Sequence, residues 1–337
     1  MASMALKSAL LVVLACILHC EGAALPHDQA SRPVVGILAQ EQPLYLRNRF
    51  SEENYTSFIA ASYVKNLQFS GANVIPIPIG RDRQFYKELM QKINGVILPG
   101  GEAPLRRSQI NGYADAGQHI YELAMEMNDA GDYFPIFGEC LGLQFLIVVA
   151  SGRGEPQNKM RCHGFGNFPI YYADGFRNSK LFAGASDDVL DILKNEAVTV
   201  NAHKFCITDE NLKAFNLTKD WLVSSYSDDI YGAKFIASIE HTRYPFYALQ
   251  FHPEKIFFEW KLQRGYPRTE TAMRASKYFM DFFVSECRKN THSFINADEE
   301  RSYLIDNYKP TFTGDLRIHY ESYFFDPRGD VKNVNHF

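Results

Sequence analysis

The chain has no basic tract. Its 35 Lys and Arg stand against 39 Asp and Glu, a net charge of −4, and the pI is near 6.2. Nothing there supplies the positive surface that a nucleic-acid partner requires. The aromatic share of 14% is therefore assigned to core packing rather than to base stacking. Cysteine is sparse and scattered: there is no CxxC pair and no metal-ligand spacing, so neither a structural zinc site nor a disulfide scaffold is expected. Long apolar runs are missing too. The longest, Ala9 to Leu18, is about half the ~20 residues that a membrane span needs. Internal repeats, low-complexity linkers and a clean domain boundary are also lacking.

What is present is a chain of 337 residues, 46% hydrophobic, enough for a sizeable core. Lys7, the run Ala9–Leu18 and the small residues Gly22, Ala23 and Ala24 have the order of a secretory leader, expected to span residues 1–24. The remainder, 25–337, is expected to form one elaborated domain. Sequons at Asn54 and Asn216 fit a secretory route and are candidate glycosylation sites. Cys16 and Cys20 would leave with the leader, so Cys140, Cys162, Cys206 and Cys287 remain; if Cys140 stays a thiol, at least one more is unpaired.

The first half of the mature chain alternates strand and helix signals. Apolar strands are expected at 33–39, 73–79, 95–98 and 134–137, with helices at 54–70, 84–92, 112–129 and 141–150. Four successive β-then-α units predict a mostly parallel central sheet with helices on both faces. Such sheets carry their sites at the carboxyl ends of the strands. Strand signals at 221–226, 234–240 and 246–251 predict an antiparallel extension, followed by a helix at about 270–288. Residues 155–200 give weak signals, and the tail after Ser293 has no placement.

Chemistry concentrates in three places. Gly138-x-Cys140-x-Gly142 joins a strand to a helix, where a nucleophile on a sharp turn needs small neighbours. A helix N-terminus also favours a thiolate. A buried structural cysteine beside helix-packing glycines would look the same. Gln250-Phe251-His252-Pro253-Glu254 closes a strand, and strand alternation would put Gln250, His252 and Glu254 on one side. There His252 can act as base and Glu254 can hold it; a surface His-Glu pair is the plain alternative. Leu141 and Gly101 offer backbone N–H groups for an oxyanion, although Pro99-Gly100-Gly101 could equally be an ordinary turn.

GECLGLQ, QFHPEK and LPGGE, in this chain, resemble a class I glutamine-amidotransferase-like domain with a flavodoxin-like α/β fold. IAASYVK, GDYFP, NAHK and HPEK with Glu259-Trp260 resemble the γ-glutamyl hydrolase branch, from about residue 32 to 290. The resemblance implies Cys140 as nucleophile, His252 as general base and acid and Glu254 as supporting carboxylate. It implies that His203, Gln144, Gly100 and Lys255 contact the substrate, although His203 could be structural and Lys255 a solvated charge. It further implies hydrolysis of γ-glutamyl amides, above all poly-γ-glutamyl tails of folates or antifolates, in the lysosomal lumen or outside the cell. It implies a homodimer and no cofactor or metal. Two of the departures from the family's more usual GTCLGFE bear on chemistry. Gln144 replaces an acid on the helix face shared with Cys140, which bears on how the substrate's α-amino group is held. Glu139 is expected to add a negative charge beside the thiol and oppose thiolate formation. Other γ-glutamyl amides are a close alternative, and a weakly catalytic binding protein of the same fold is a second class. A glutaminase feeding a synthase is disfavoured, because no synthase domain accompanies the motifs.

Overall fold

Short apolar runs bounded by turn residues become the strands of the central sheet. The computed structural model describes residues 32–105, 110–152, 160–261, 264–316 and 318–326. The expected leader, 1–24, lies outside the described residues. The strands are, in chain order, β1 (Val34–Leu38), β2 (Gln40–Glu41), β3 (Ser57–Ala60), β4 (Asn73–Ile77), β5 (Gly95–Leu98), β6 (Ile136–Glu139), β7 (Met160–Phe168), β8 (Tyr171–Tyr172), β9 (Thr199–Cys206), β10 (Trp221–Asp228), β11 (Lys234–His241), β12 (Phe246–Leu249), β13 (Thr311–Phe312) and β14 (Glu321–Phe325).

The largest sheet runs β4-β1-β5-β6-β12-β11-β10-β8. Its first five strands are parallel, and β11, β10 and β8 extend it antiparallel. The fold is thus the mostly parallel α/β sheet with an antiparallel extension that the sequence leads one to expect. β4, with its two prolines nearby, is an edge strand, where a missing N–H costs least. Helices Arg83–Met90, Tyr113–Asp129 and Leu141–Ala150 bury Leu89, Ile120 and Leu146 on one face. Helices Ala61–Phe69, Asp187–Asn195 and Glu270–Cys287 bury Tyr63, Leu190 and Phe283 on the other. Two filled faces make the parallel strands apolar throughout rather than alternating.

Register positions the site. Leu98 of β5 lies opposite Gly138 of β6, and Leu249 of β12 lies opposite Glu139. The carboxyl ends of three neighbouring parallel strands therefore stop together, and the segments after residues 98, 139 and 249 emerge side by side.

Local reading errs where a distant segment intervenes. The helix expected from residue 54 begins only at Ala61, because Ser57–Ala60 is a strand paired antiparallel with β14. The unplaced tail supplies that partner in a second sheet, β13-β14-β3-β2. The stretch of weak signals holds β7, which pairs with β9 in a separate ribbon, and the helix Asp187–Asn195. A disulfide joins Cys162 to Cys206 across that ribbon; Cys287 is a buried thiol, and Cys140 takes no part in a disulfide. Among the described residues, no helix is long and apolar enough to cross a membrane.

Candidate active site

Cys140 follows β6 directly and opens the helix Leu141–Ala150 with φ 52° and ψ −97°. Positive φ is costly for a residue with a Cβ and persists only where the surroundings enforce it. The neighbours do so. A Cβ on Gly142 would stand 2.0 Å from the Leu98 carbonyl oxygen, and one on Gly138 would stand 2.7 Å from the Gly142 backbone. The Cys140 N–H donates to the Leu249 carbonyl at 2.7 Å, tying the turn to β12.

His252 arrives from the segment after β12. Its N–H donates to the Val200 carbonyl at 2.8 Å, and its Nδ1 lies 2.9 Å from Oε1 of Glu254. The strand alternation inferred for Gln250, His252 and Glu254 is not how they meet. β12 ends at Leu249, and Glu254 opens a short helix, Glu254–Phe258, behind Pro253 at φ −65° and ψ −30°. Proline's fixed φ suits that helix start and ends the ladder. With Nδ1–H donated to Glu254, Nε2 is the basic nitrogen.

Gly100 brings the His252 ring and the Cys140 side chain together. A Cβ there would stand 2.6 Å from His252 Cε1 and 3.1 Å from Cys140 Cβ, so imidazole and thiol flank one glycine. Burial pushes the His252 pKa down, with Glu254 pulling it back up, so the ring is a neutral base at neutral pH. Burial resists ionisation of Glu254, but His252 and Lys255 outweigh it and hold the carboxyl well below the usual carboxylate range. Among the described residues, neither the Leu141 N–H nor the Gly101 N–H donates to a protein acceptor, so both remain available to an oxyanion.

A protein-family model described as peptidase C26 matches residues 33–254. The chain belongs to the peptidase C26 family. Similar proteins include the γ-glutamyl hydrolase of Mus musculus, 35% identical over 97% of this chain and 100% of that one. The γ-glutamyl hydrolase of Homo sapiens is 34% identical over 96% and 100%, and γ-glutamyl hydrolase B of Dictyostelium discoideum is 30% identical over 83% and 79%. Among solved structures, a glutamine amidotransferase from Thermotoga maritima aligns with 14% identity and a TM-score of 0.37, over 77% of this chain and 97% of that one.

In this C26 chain the remaining candidates divide. Gly100 is required sterically, but its N–H is taken by the Tyr63 hydroxyl at 2.8 Å, so it does not offer that donor to a substrate. His203 is buried near His252, with Nε2 3.1 Å from Asn201 Oδ1 and Nδ1 3.4 Å from Cys162 Sγ. Burial first, and the nearby His252 ring second, lower its pKa to about 3; it is a neutral, internally held ring. Gln144 donates to the Phe205 carbonyl at 2.7 Å and to Gln250 Oε1 at 3.3 Å, pinning the nucleophile helix to β9 and to the end of β12. Lys255 is not a solvated charge: it is buried, its Nζ 3.4 Å from Glu254 Oε1. Burial works against its charge, but Glu254 and Glu259 prevail and raise its pKa. Asn54 and Asn216 are both exposed.

Glu139 corrects another expectation. It does not place a negative charge beside the thiol: it is fully buried, and burial together with the Glu254 charge raises its pKa well above the carboxylate range. Glu139, His252 and Glu254 are also spaced as ligands of a cation could be, but the Lys255 ammonium already supplies the positive charge to this cluster.

Two contributors escape sequence reasoning. Tyr63 places its hydroxyl 3.3 Å from His252 Nδ1 while accepting from Gly100; helical spacing marks it only as core. Gln40 donates from Nε2 to the carbonyls of Pro99 and Gly100, each at 3.0 Å. Its Oε1 would lie 1.8 Å from a Cβ on Gly101, so that glycine is also forced. Gln40 sits in a two-residue strand without local signal.

Proposed function

We propose that the chain hydrolyses γ-glutamyl amide bonds by acyl transfer through Cys140. The observation that carries this reading is the meeting of the Cys140 turn and the His252–Glu254 pair at Gly100, beside the Leu141 and Gly101 N–H groups, which donate to no backbone carbonyl among the described residues. The chain's likeness to γ-glutamyl hydrolases supports the substrate class.

In the first step His252 Nε2 takes the thiol proton and the sulfur attacks the γ-carbonyl carbon. The oxyanion rests on the N–H groups of Leu141 and Gly101. The C–N bond then breaks, the leaving amine takes the proton from His252, and a γ-thioester remains on Cys140. Water, giving its proton to His252, attacks that thioester; the C–S bond breaks and the thiol is reprotonated. Acid–base help of this kind is worth about 10²–10⁴-fold, and each oxyanion donor about 10²–10³-fold.

A cavity of about 480 Å³ lies beside the Gly101 turn, lined by Gln42, Arg47, Thr56 and Glu102 among others. Beside the acids Glu41 and Glu102, it offers one cation, Arg47, and one amide, Gln42, to the α-carboxylates of a poly-γ-glutamyl chain such as a folate or antifolate conjugate. A larger cavity, about 760 Å³, opens by Tyr171, Tyr226 and Lys234 on β8, β10 and β11, remote in sheet order from β6. The leader-like start, together with exposed Asn54 and Asn216, supports a glycosylated protein of the secretory route, working in the lysosomal lumen or outside the cell.

The test is release of glutamate from γ-glutamyl-glutamate. Wild type should release it and Cys140→Ala should not. Equal inertness of both, under conditions where each is folded, would favour a binding protein instead.

A further inference from the structure

Glu139 is an acid that the proposed chemistry leaves without a task. It ends β6 immediately before the nucleophile, and its side chain is wholly buried. Oxygen and nitrogen atoms of Glu139, His252 and Glu254 lie within 4.8 Å of one another. As two carboxylates, Glu139 and Glu254 do not satisfy each other: among the described residues, neither Glu139 oxygen accepts a hydrogen bond, and Oε2 of Glu254 accepts none. Two bare buried carboxylates face to face are among the costliest arrangements in a protein interior. One proton between them converts repulsion into a charge-assisted hydrogen bond.

The surroundings decide which acid holds that proton. Oε1 of Glu254 has the His252 ring nitrogen at 2.9 Å and the Lys255 ammonium at 3.4 Å. Lys255 also draws on the Glu139 carboxyl, but more weakly than burial, which shifts it up first, and the Glu254 charge, which shifts it up second. The other titratable groups around the cluster do not change this. Lys255 is also drawn toward Glu259, and His319 stands 3.2 Å from Glu259. The phenols of Tyr63 and Tyr266 are both raised, by burial first, and stay neutral.

We propose that Glu139 is a positioning residue of this hydrolase, a neutral carboxyl whose O–H is donated to Oε2 of Glu254 so that Oε1 stays aimed at the Nδ1–H of His252. The kinetic consequence rests on the acyl-transfer reading; the proton itself does not. The donated hydrogen bond draws charge from Glu254 and weakens its pull on an imidazolium, so His252 can give its proton up to the leaving amine.

The experiment joins infrared spectroscopy to pH profiles. Wild type in neutral solution should show the C=O stretch of a protonated carboxylic acid, and Glu139→Gln should lack it. Glutamine keeps a neutral N–H donor, so the acid limb of its kcat/KM profile should stay where the wild-type limb is. Glu139→Leu keeps no donor; its kcat/KM should fall about tenfold, the size of one charge-assisted hydrogen bond, and its acid limb should move up as Glu254 grips the imidazolium. A wild-type spectrum without that band overturns the proposal, even if the leucine variant fails to fold. So does a Glu139→Gln acid limb that moves down, the signature of a removed negative charge, and so does a leucine variant indistinguishable from wild type. An inactive wild type that still shows the band would sink the hydrolase reading while supporting the proton on Glu139.

Discussion

At the residue scale, the site is built from constraints that forbid alternatives. Cys140 holds a positive φ that its glycine neighbours permit and the helix behind it requires. Part of the folding free energy is stored there. Cys140→Gly should therefore be more stable than Cys140→Ala by about 1 kcal/mol or more, measurable by urea unfolding of the two inactive variants. Had the turn been unstrained, glycine would be the worse choice for its greater unfolded-state entropy. The base gives a second expectation. Burial lowers the His252 pKa and Glu254 partly restores it, so the acid limb of kcat/KM should lie below the ordinary histidine value of about 6.5. Replacing Glu254 by Gln removes the charge that favours the imidazolium, so that limb should move lower still, along with a loss of rate. An upward move would mean that Glu254 does not face the ring.

At the scale of elements, the sheet order does the assembling. The GECLG turn was legible because its constraint is local: strand, small-nucleophile-small, helix. The helix after Cys140 begins and ends at the expected residues, Leu141 and Ala150. What local patterns do not carry is adjacency. β12 lies beside β6, and so His252 beside Cys140, only because the chain returns after more than a hundred residues. The same holds for Tyr63. Its helix starts late because β3 pairs with β14, and the tail that provides β14 carries no periodic signal of its own. β14 seals a small cluster of Phe58, Leu46 and Phe324 over the entry to the Tyr63 helix, and Lys65 on that helix pairs with Glu321 on β14. The tail should therefore matter to the site. Phe324→Ala should cost roughly 3–5 kcal/mol of stability, as buried Phe truncations do, read from denaturant unfolding. A cost near zero would make β14 an ornament rather than part of the scaffold.

At the scale of the molecule, a doubly covered parallel sheet ends three adjacent strands at one level, and the proposed acyl transfer takes a separate part from each end: donor, nucleophile, base. That division explains which site residues were readable. Cys140, His252, Glu254, Leu141 and Gly101 stand at strand ends, where motif and topology coincide. The charge expected of Glu139 and the solvated alternative for Lys255 both fail, because burial and pairing are properties of the packed interior and not of the segment. Gln40 and Tyr63 were invisible as contributors because their task is to hold the turn, and a core pattern or a two-residue strand says nothing of that.

The measurement that bears most directly on the whole scheme is capture of the acyl-enzyme. Wild type mixed with a γ-glutamyl substrate and quenched in acid within one turnover should carry a γ-glutamyl adduct, and peptide mapping should place it on Cys140. An adduct on another residue, or full turnover by Cys140→Ala, would contradict the scheme.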